Sequence, residues 1–374
     1  PAAVAGSPEK RTGIILAANY KARKFGVSTA MTVHQGLKFC PEMLLVPPDH
    51  SFYEYKSSQL IKTLYNYTPL IQKNSIDEAW LDMTGTEKLF GSPIEAARRI
   101  MEDIKENLGL WSSIGIAENK FLSKMAADMK KPLGITELWK RDLEVKLWPL
   151  PIGKMYGVGK KTSKKLNDIG VKTIGDLVNL KRDVLYKVLG NSGLQIQKLA
   201  KGIDPSPVEI SAPDDMKSIG RSITLPEDIR DLEKLKLILM DLSEDVGIRA
   251  RKHNKKGSCV QITLKYSDFK VITRQVTLHP TCFTKDIYKA GQDLLEKNFP
   301  TSKPIRLIGI TLKGFDDDCT PQQISLFSTE AEKNNKYQSI DKVMDKIRNK
   351  YGKEKIGRAS LISYKTEKTP YENS

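Results

Sequence analysis

The sequence predicts an α+β protein of several domains, and three observations predict it. Short apolar strands alternate with amphipathic helices up to about residue 140, short helical segments broken by glycines occupy 142–204, and a strand–helix–strand–strand–helix–strand order fills 217 to about 315. At 374 residues the chain is also long enough for two to four domains, each with its own core.

The elements follow in order. The chain opens on what reads as the middle of a domain, without an initiating Met: 2–5 is strand-like, Ser7-Pro8-Glu9-Lys10 reads as a turn, and 13–17 as a second strand. A helical segment from Asn19 to Phe25 ends at Gly26. Two strand-like stretches, 70–76 and 79–83, flank Asp77-Glu78 and stop at Thr84-Gly85, so a hairpin is expected. Ser92-Pro93-Ile94-Glu95 is a capping box with Pro at the first helical position, and it opens an amphipathic helix through Ile100, Met101, Ile104 and Leu108 that Gly109 closes. A strand at 113–117 follows, then a helix capped by Asn119 and stopped near Met129 by Lys130-Lys131-Pro132.

Glycines at 157, 159, 170, 175 and 190 punctuate a small all-helical domain over 142–204. Asp204-Pro205-Ser206-Pro207 through Ala212-Pro213-Asp214-Asp215 reads as a tether with no means of forming a core. After the βαββαβ stretch, Asp316-Asp317-Asp318 starts a polar linker, and 340–351 reads as a lone basic amphipathic helix.

Charge narrows the partners. There are 61 Lys and Arg against 45 Asp and Glu, a formal charge of +16, and the excess runs through the whole length. Cations on this scale attract polyanions, because they release counterions condensed on nucleic acid; a merely soluble basic protein is the alternative. Cys40, Cys259, Cys282 and Cys319 form no CxxC pair, and His34, His50, His253 and His279 do not cluster with them. Neither a zinc site nor a disulfide framework is expected, which fits a reducing compartment. No apolar run approaches membrane-spanning length, so a soluble cytoplasmic protein is expected, with no membrane partner.

Three constellations carry chemistry. Asp77 and Glu78 sit between apolar strands, and neighbouring side chains on a straight strand point to opposite faces, so the two converge only at a bend. Adjacent carboxylates at a sheet's end are how a hard-cation site is built, since Mg²⁺ takes few protein carboxylates and completes its shell with water and phosphate. The bland alternative is a solvated Asp-Glu turn. Tyr20 and Arg23, three apart on a helix, share a face that suits phosphate oxygens; a solvated basic face is the alternative. Lys131, just before Pro132, supplies a further cation. Gly157-Val158-Gly159-Lys160-Lys161-Thr162 before a helical run is a helix-hairpin-helix signal, where glycines let the backbone approach a DNA phosphate and the helix aims free amides at it.

These residues carry a family resemblance. Ala18-Asn19-Tyr20 with Arg23-Lys24-Phe25-Gly26-Val27, Ser75-Ile76-Asp77-Glu78-Ala79, 126–134 from Ala126 to Gly134, Gly157-Val158-Gly159, and Lys217-Ser218-Ile219-Gly220-Arg221-Ser222 occur in the order of the Y-family translesion DNA polymerases. The chain resembles that family over nearly its whole length, on its Gram-positive and mobile-element branch. The resemblance implies a right-hand polymerase: fingers over 1–50, palm over 51–141, a helix-hairpin-helix thumb over 142–204, a linker over 205–216, a βαββαβ little finger over 217–316, and a clamp-binding tail with a C-terminal helix over 317–374.

It also implies roles. Asp77 and Glu78 are the expected metal ligands and catalytic carboxylates for two Mg²⁺ ions, with Glu78 helping to activate the primer 3′-hydroxyl. Tyr20, Arg23 and Lys131 are expected to hold the incoming deoxynucleoside triphosphate. Gly157, Gly159, Lys160, Ser218 and Arg221 are expected on primer–template DNA. Gln323, Leu326 and Phe327, within Gln323-Ile324-Ser325-Leu326-Phe327, resemble a peptide that docks on the sliding clamp. The implied activity is template-directed, low-fidelity synthesis past damaged bases without proofreading, by a monomer at the nucleoid during the response to DNA damage. The family's first metal-binding aspartate and its aromatic steric gate lie on a strand that the resemblance places before Pro1, so a catalytically impaired relative that still binds primer–template and clamp is the alternative. A regulator that competes for the clamp is a third.

Overall fold

The computed structural model describes residues 1–7, 13–210, 216–299, 303–315, 330–352 and 355–361, with backbone alone for 330–338 and 360. The Ser7–Lys10 turn falls mostly outside these residues, as do the Asp316–Asp318 run and the whole Gln323–Phe327 peptide. Two compact units emerge: Pro1–Pro48 with Pro213–Ser374, and Asp49–Ala212.

In the first unit, β1 (Ala2–Ala5) lies between β2 (Ile15–Ala18), antiparallel, and β3 (Leu44–Val46), parallel. α1 (Tyr20–Lys24) and α2 (Val33–Phe39) connect β2 to β3. Asn19 caps α1 by accepting from Ala22 N at 2.9 Å, and the same oxygen accepts from Ala2 N at 3.1 Å, which ties the helix start to the sheet. A small core of Ala3, Ala5, Ile15, Ala18, Ala22, Val27 and Val33 closes the layer.

The second unit starts with α3 (His50–Leu64), followed by the hairpin of β4 (Ile71–Lys73) and β5 (Ala79–Leu81). Next come α4 (Glu87–Phe90) and α5 (Pro93–Leu108). The capping box of α5 forms as the sequence predicts, with Ser92 accepting from Glu95 N and Glu95 accepting from Ser92 N, and Gly109 ends the helix in the left-handed region. β6 (Ile114–Ile116) and β7 (Ile135–Glu137) pair in parallel, with α6 (Lys120–Met129) as the crossover.

α6 lies on β6 at a distance only glycine permits. A Cβ on Gly115 would stand 1.9 Å from the Ser123 carbonyl oxygen and 2.5 Å from the Ala127 nitrogen, both backbone atoms with no room to yield. The buried face of α6 (Phe121, Leu122, Met125, Ala126) shares one core with Leu138, Leu143, Leu147 and the helical stretch after it: α7 (Lys160–Asp168), α8 (Ile174–Asn179) and α9 (Arg182–Ala200), which is kinked at Gly190.

The expected tether is not free over its first part. Asp204 accepts from Phe121 N, Lys120 Nζ donates to the Pro207 carbonyl at 2.7 Å, and Glu209 N donates to Gln72 Oε1. Composition alone makes 204–209 look unattached, but one of its carboxylates and one of its carbonyls answer donors on α6, and its groups are paired like those of an ordered loop.

The first unit resumes with β8 (Ser218–Ile229), α10 (Leu232–Lys252), β9 (Gly257–Tyr266), β10 (Val271–Thr281), α11 (Thr284–Asn298) and β11 (Ile305–Phe315). The sheet runs in the order β10-β9-β11-β8, all antiparallel, so the expected βαββαβ arrangement is present. Val260, Ile262, Leu264, Ile308, Ile310 and Leu312 meet Leu235, Ile238, Leu239, Leu242, Val246, Ile287 and Leu295 of α10 and α11 in the chain's largest core cluster among the described residues.

The C-terminal helix corrects the reading of a lone element. α12 runs Glu330–Tyr351, ten residues longer at its start than the expected 340–351, and it is docked. Arg251 of α10, side chain 10% exposed, grips Asp345 through Nε at 2.6 Å and Nη2 at 3.0 Å, and Asp341 through Nη1 at 3.1 Å. Arg348 and Arg358 both reach Glu244 of α10, and Arg358 also reaches Asp341. Asp341 also accepts from Thr284 N, the first amide of α11, whose own cap residue Phe283 offers no side-chain bond. Leu361 then enters the sheet domain's core at 1% exposure. Local amphipathicity could not reveal this, because the partners lie about ninety positions upstream.

Candidate active site

The acidic turn is where the sequence predicts it. Glu78 C=O accepts from Asn74 N at 2.9 Å and from Ser75 N at 3.2 Å, closing a tight loop at the open end of the β4–β5 hairpin. Residues 75–77 form the tip, where Asp77 is exposed, and Glu78 sits at the base. Asp77 Oδ1 accepts from Ser75 Oγ at 2.7 Å. Glu78 is held on both oxygens: Oε1 by Lys124 Nζ at 2.6 Å and Oε2 by Asn74 Nδ2 at 2.9 Å.

α6 runs alongside this hairpin and presents cations to it at four-residue spacing, the period that stacks side chains on one helix face. Lys120 Nζ donates to Gln72 Oε1 at 2.9 Å and lies 5.6 Å from the Trp80 ring, while Trp80 Nε1 donates back to the Lys120 carbonyl. One turn on, Lys124 bridges Glu78 and Asp128, the latter at 3.1 Å. Just past the helix end, Lys131 pairs with Asp128 at 2.7 Å. The result is a continuous chain of alternating charge, Glu78–Lys124–Asp128–Lys131, which links the expected metal carboxylate to the expected triphosphate lysine.

Titration follows this alternation. Burial pushes the Lys124 ammonium down, but hydrogen bonds to Glu78 and Asp128 outweigh it and leave the group above its usual range. Burial alone would raise the Asp128 carboxyl, and the bonds from Lys131 and Lys124 overcome that and hold it below 3.8. Sequence alone assigns Lys124 and Asp128 no role; the signal available is the Lys120, Lys124, Asp128 spacing of four.

Among the described residues no three of His, Cys, Asp and Glu gather into a complete metal cage. The donor set nonetheless suits Mg²⁺, which binds through one or two carboxylates and fills its shell with water and substrate phosphate. Asp77 and Glu78 are hard oxygen donors at an accessible turn, and Asp77 keeps one oxygen without a protein bond among the described contacts. They fit a cation delivered together with a triphosphate.

The other expected residues stand as follows. Tyr20 and Arg23 belong to the other compact unit, both exposed on α1, with the guanidinium 5.1 Å from the phenol ring and its Nε donating to the Ala18 carbonyl at 2.9 Å. That fixes the fork and leaves Nη1 and Nη2 as its outward donors. Gly157 adopts a left-handed φ of +87°, and Gly159 is the N-cap of α7 with no side chain to cover the first-turn amides. Lys160 is the first residue of that helix and is exposed.

Ser218 and Arg221 do not share a face. Three residues apart on β8, they point oppositely. Arg221 registers with Ile310 on the helix-covered side, where it pairs with Asp245 of α10 at 3.3 Å. Ser218 registers with Lys313 on the open side, beside a surface of Ser222, Thr311, Gln261 and Thr263. Gln323, Leu326 and Phe327 lie outside the described residues.

Comparison with known proteins agrees with this architecture. Residues 1–128 match the impB/mucB/samB family, 140–171 its helix-hairpin-helix motif, and 216–326 its C-terminal domain. The chain belongs to that family, the Y-family DNA polymerases, which are template-directed nucleotidyltransferases of translesion synthesis. Its place within the family is on the Gram-positive branch: it is 61% identical over 368 residues to DNA polymerase IV of Alkaliphilus oremlandii, covering 97% of this chain and 92% of the relative. Its identity to DNA polymerase IV of Clostridium kluyveri is 54%, with the same coverage. Among solved structures, a Y-family DNA polymerase chimera of Dbh and Dpo4 superposes with a TM-score of 0.74 at 28% identity, over 84% of this chain and 91% of that one.

Proposed function

We propose that this chain extends a DNA primer on a damaged template, with Asp77 and Glu78 seating two Mg²⁺ ions against the phosphates of the incoming nucleotide. The observation that carries the reading is the acidic turn locked against α6, with Glu78 linked to Lys131 by three successive ion pairs through Lys124 and Asp128. Tyr20 and Arg23 bind the triphosphate oxygens by a phenol and a fixed guanidinium fork. Glu78, at the base of the turn, helps to activate the primer 3′-hydroxyl once the Lys124 contact on Oε1 gives way. The divalent ions, when bound, supply the positive charge that phosphoryl transfer needs on the attacking and leaving oxygens.

The first-turn amides of α7 and Lys160 hold a DNA backbone phosphate behind the primer end. Ser218, on the open face of the four-stranded sheet, makes a second sequence-blind backbone contact, with Arg221 at the sheet edge tied to Asp245. Gln323, Leu326 and Phe327 bind the sliding clamp, an apolar pocket taking the Leu and Phe. No described helix is long and apolar enough to cross a membrane; the enzyme works as a monomer on the nucleoid in the cytoplasm.

Primer extension on an abasic template tests this. Wild type adds nucleotides in Mg²⁺, while Asp77→Ala and Glu78→Gln each lose about 10³-fold or more in kcat, the scale of a lost charge-stabilising group. Wild-type extension no faster than Asp77→Ala leaves the non-catalytic DNA-binding reading in its place.

A further inference from the structure

We propose that Lys124 is a built-in counter-cation for Glu78, which keeps divalent metal from occupying the acidic turn until a triphosphate brings it. The inference rests on the reading of Asp77 and Glu78 as metal ligands. It goes beyond that reading by assigning a positioning role to a residue that does not touch substrate.

Three observations support it. The Lys124 side chain is only 14% exposed and its ammonium lies 2.6 Å from Glu78 Oε1, so it is a fixed charge and not a flexible surface lysine. It stands between two carboxylates from different elements, Glu78 of the turn and Asp128 of its own helix, a pair that would repel each other without it. The Tyr156 ring lies 6.0 Å from the same ammonium and is uncharged.

Electrostatics then gives the direction. A cation in contact with a ligating oxygen opposes a second cation on the same oxygen, so bare metal meets a half-neutralised site. A metal–triphosphate complex carries its own negative charge and its own oxygen ligands, and Lys131 adds binding energy for it. Release of Glu78 does not strand Lys124, because Asp128 remains at 3.1 Å. Asp128 in turn holds Lys131, so the two cations share one anchor, and a pull on Lys131 by phosphate strengthens the hold of Asp128 on Lys124.

The test is Mn²⁺ binding to the full chain by electron paramagnetic resonance, without DNA, with and without a non-hydrolysable deoxynucleoside triphosphate. Wild type is expected to bind Mn²⁺ weakly alone and at least tenfold more tightly with nucleotide. Lys124→Met is expected to bind at least tenfold more tightly than wild type without nucleotide, and to gain less than threefold from it. Lys124→Arg, which keeps the charge, stays within threefold of wild type and shows that an altered fold is not responsible. Lys120→Met, one turn away and paired with neutral Gln72, changes nucleotide-free binding less than twofold. Asp77→Ala in the Lys124→Met background removes the tight binding. Mn²⁺ affinity of Lys124→Met equal to wild type, with Asp77→Ala still weakening it, overturns the counter-cation and leaves the metal turn standing. Indifference of every variant to Asp77→Ala overturns the metal turn itself.

Discussion

Asp128 shows how a single carboxyl can serve two lysines without titrating near neutrality. Its folded pKa is depressed below 3.8 by Lys131 and Lys124 against the opposing effect of burial, so its contribution to stability is complete above the unfolded value. That contribution is lost only as the pH falls through the lower, folded value. The stability difference between wild type and Asp128→Asn, measured by urea unfolding, is therefore expected to stay flat from pH 8 to about 5 and to shrink below about 4. A difference that changes between pH 6 and 8 would mean the Lys124–Asp128–Lys131 chain is not formed. Of this site the sequence reveals the ends and not the middle. Asp77, Glu78 and Lys131 announce themselves by short-range pattern and resemblance, whereas the Lys124–Glu78 contact joins positions forty-six apart and depends on how a helix docks on a hairpin. Ser218 and Arg221 carry the opposite lesson: strand periodicity of two already places them on different faces, and a motif read as a unit conceals it.

Elements are legible where local chemistry decides them. Asn19, Ser92, Glu95, Gly109 and Asn119 cap or end helices with groups that lie within a few residues of the backbone they satisfy. α12 is legible only as a helix, because its placement is set by Arg251 and Glu244 on α10. The clasp contains three guanidinium groups and three carboxylates, most of them nearly excluded from water, so removing one member leaves an unpaired buried charge. Asp341→Ala removes a partner from Arg251 and Arg358 and the cap from α11 at once, and is expected to cost about 3–5 kcal/mol of the sheet domain's stability. Chemical denaturation of wild type and variant measures it; a loss under about 1 kcal/mol would class the cluster with exposed ion pairs.

The molecule as a whole presents its positive charge to a polyanion, and that has a measurable slope. Affinity for primer–template, taken by fluorescence anisotropy, is expected to fall by about 10³-fold or more between roughly 50 and 200 mM salt, with Lys160→Ala lowering the log–log slope by about one phosphate's worth. A slope unchanged in Lys160→Ala would remove that residue from the DNA contact. Multidomain architecture is readable from composition because its parts differ in kind: alternating strands and helices, glycine-broken helices, and a βαββαβ run. The division into units is not, since α6 packs its apolar face into the helical core that follows it, and the first and last parts of the chain fall in one unit. The C-terminal clasp bears on any attempt to trade parts between relatives. The family's C-terminal domain is matched over 216–326, yet the carboxylates that neutralise Arg251 and the arginines that neutralise Glu244 come from 341–358. A graft cut at the match boundary would seat a foreign α10 against the host's α12, so the natural cassette for exchange runs on to Leu361.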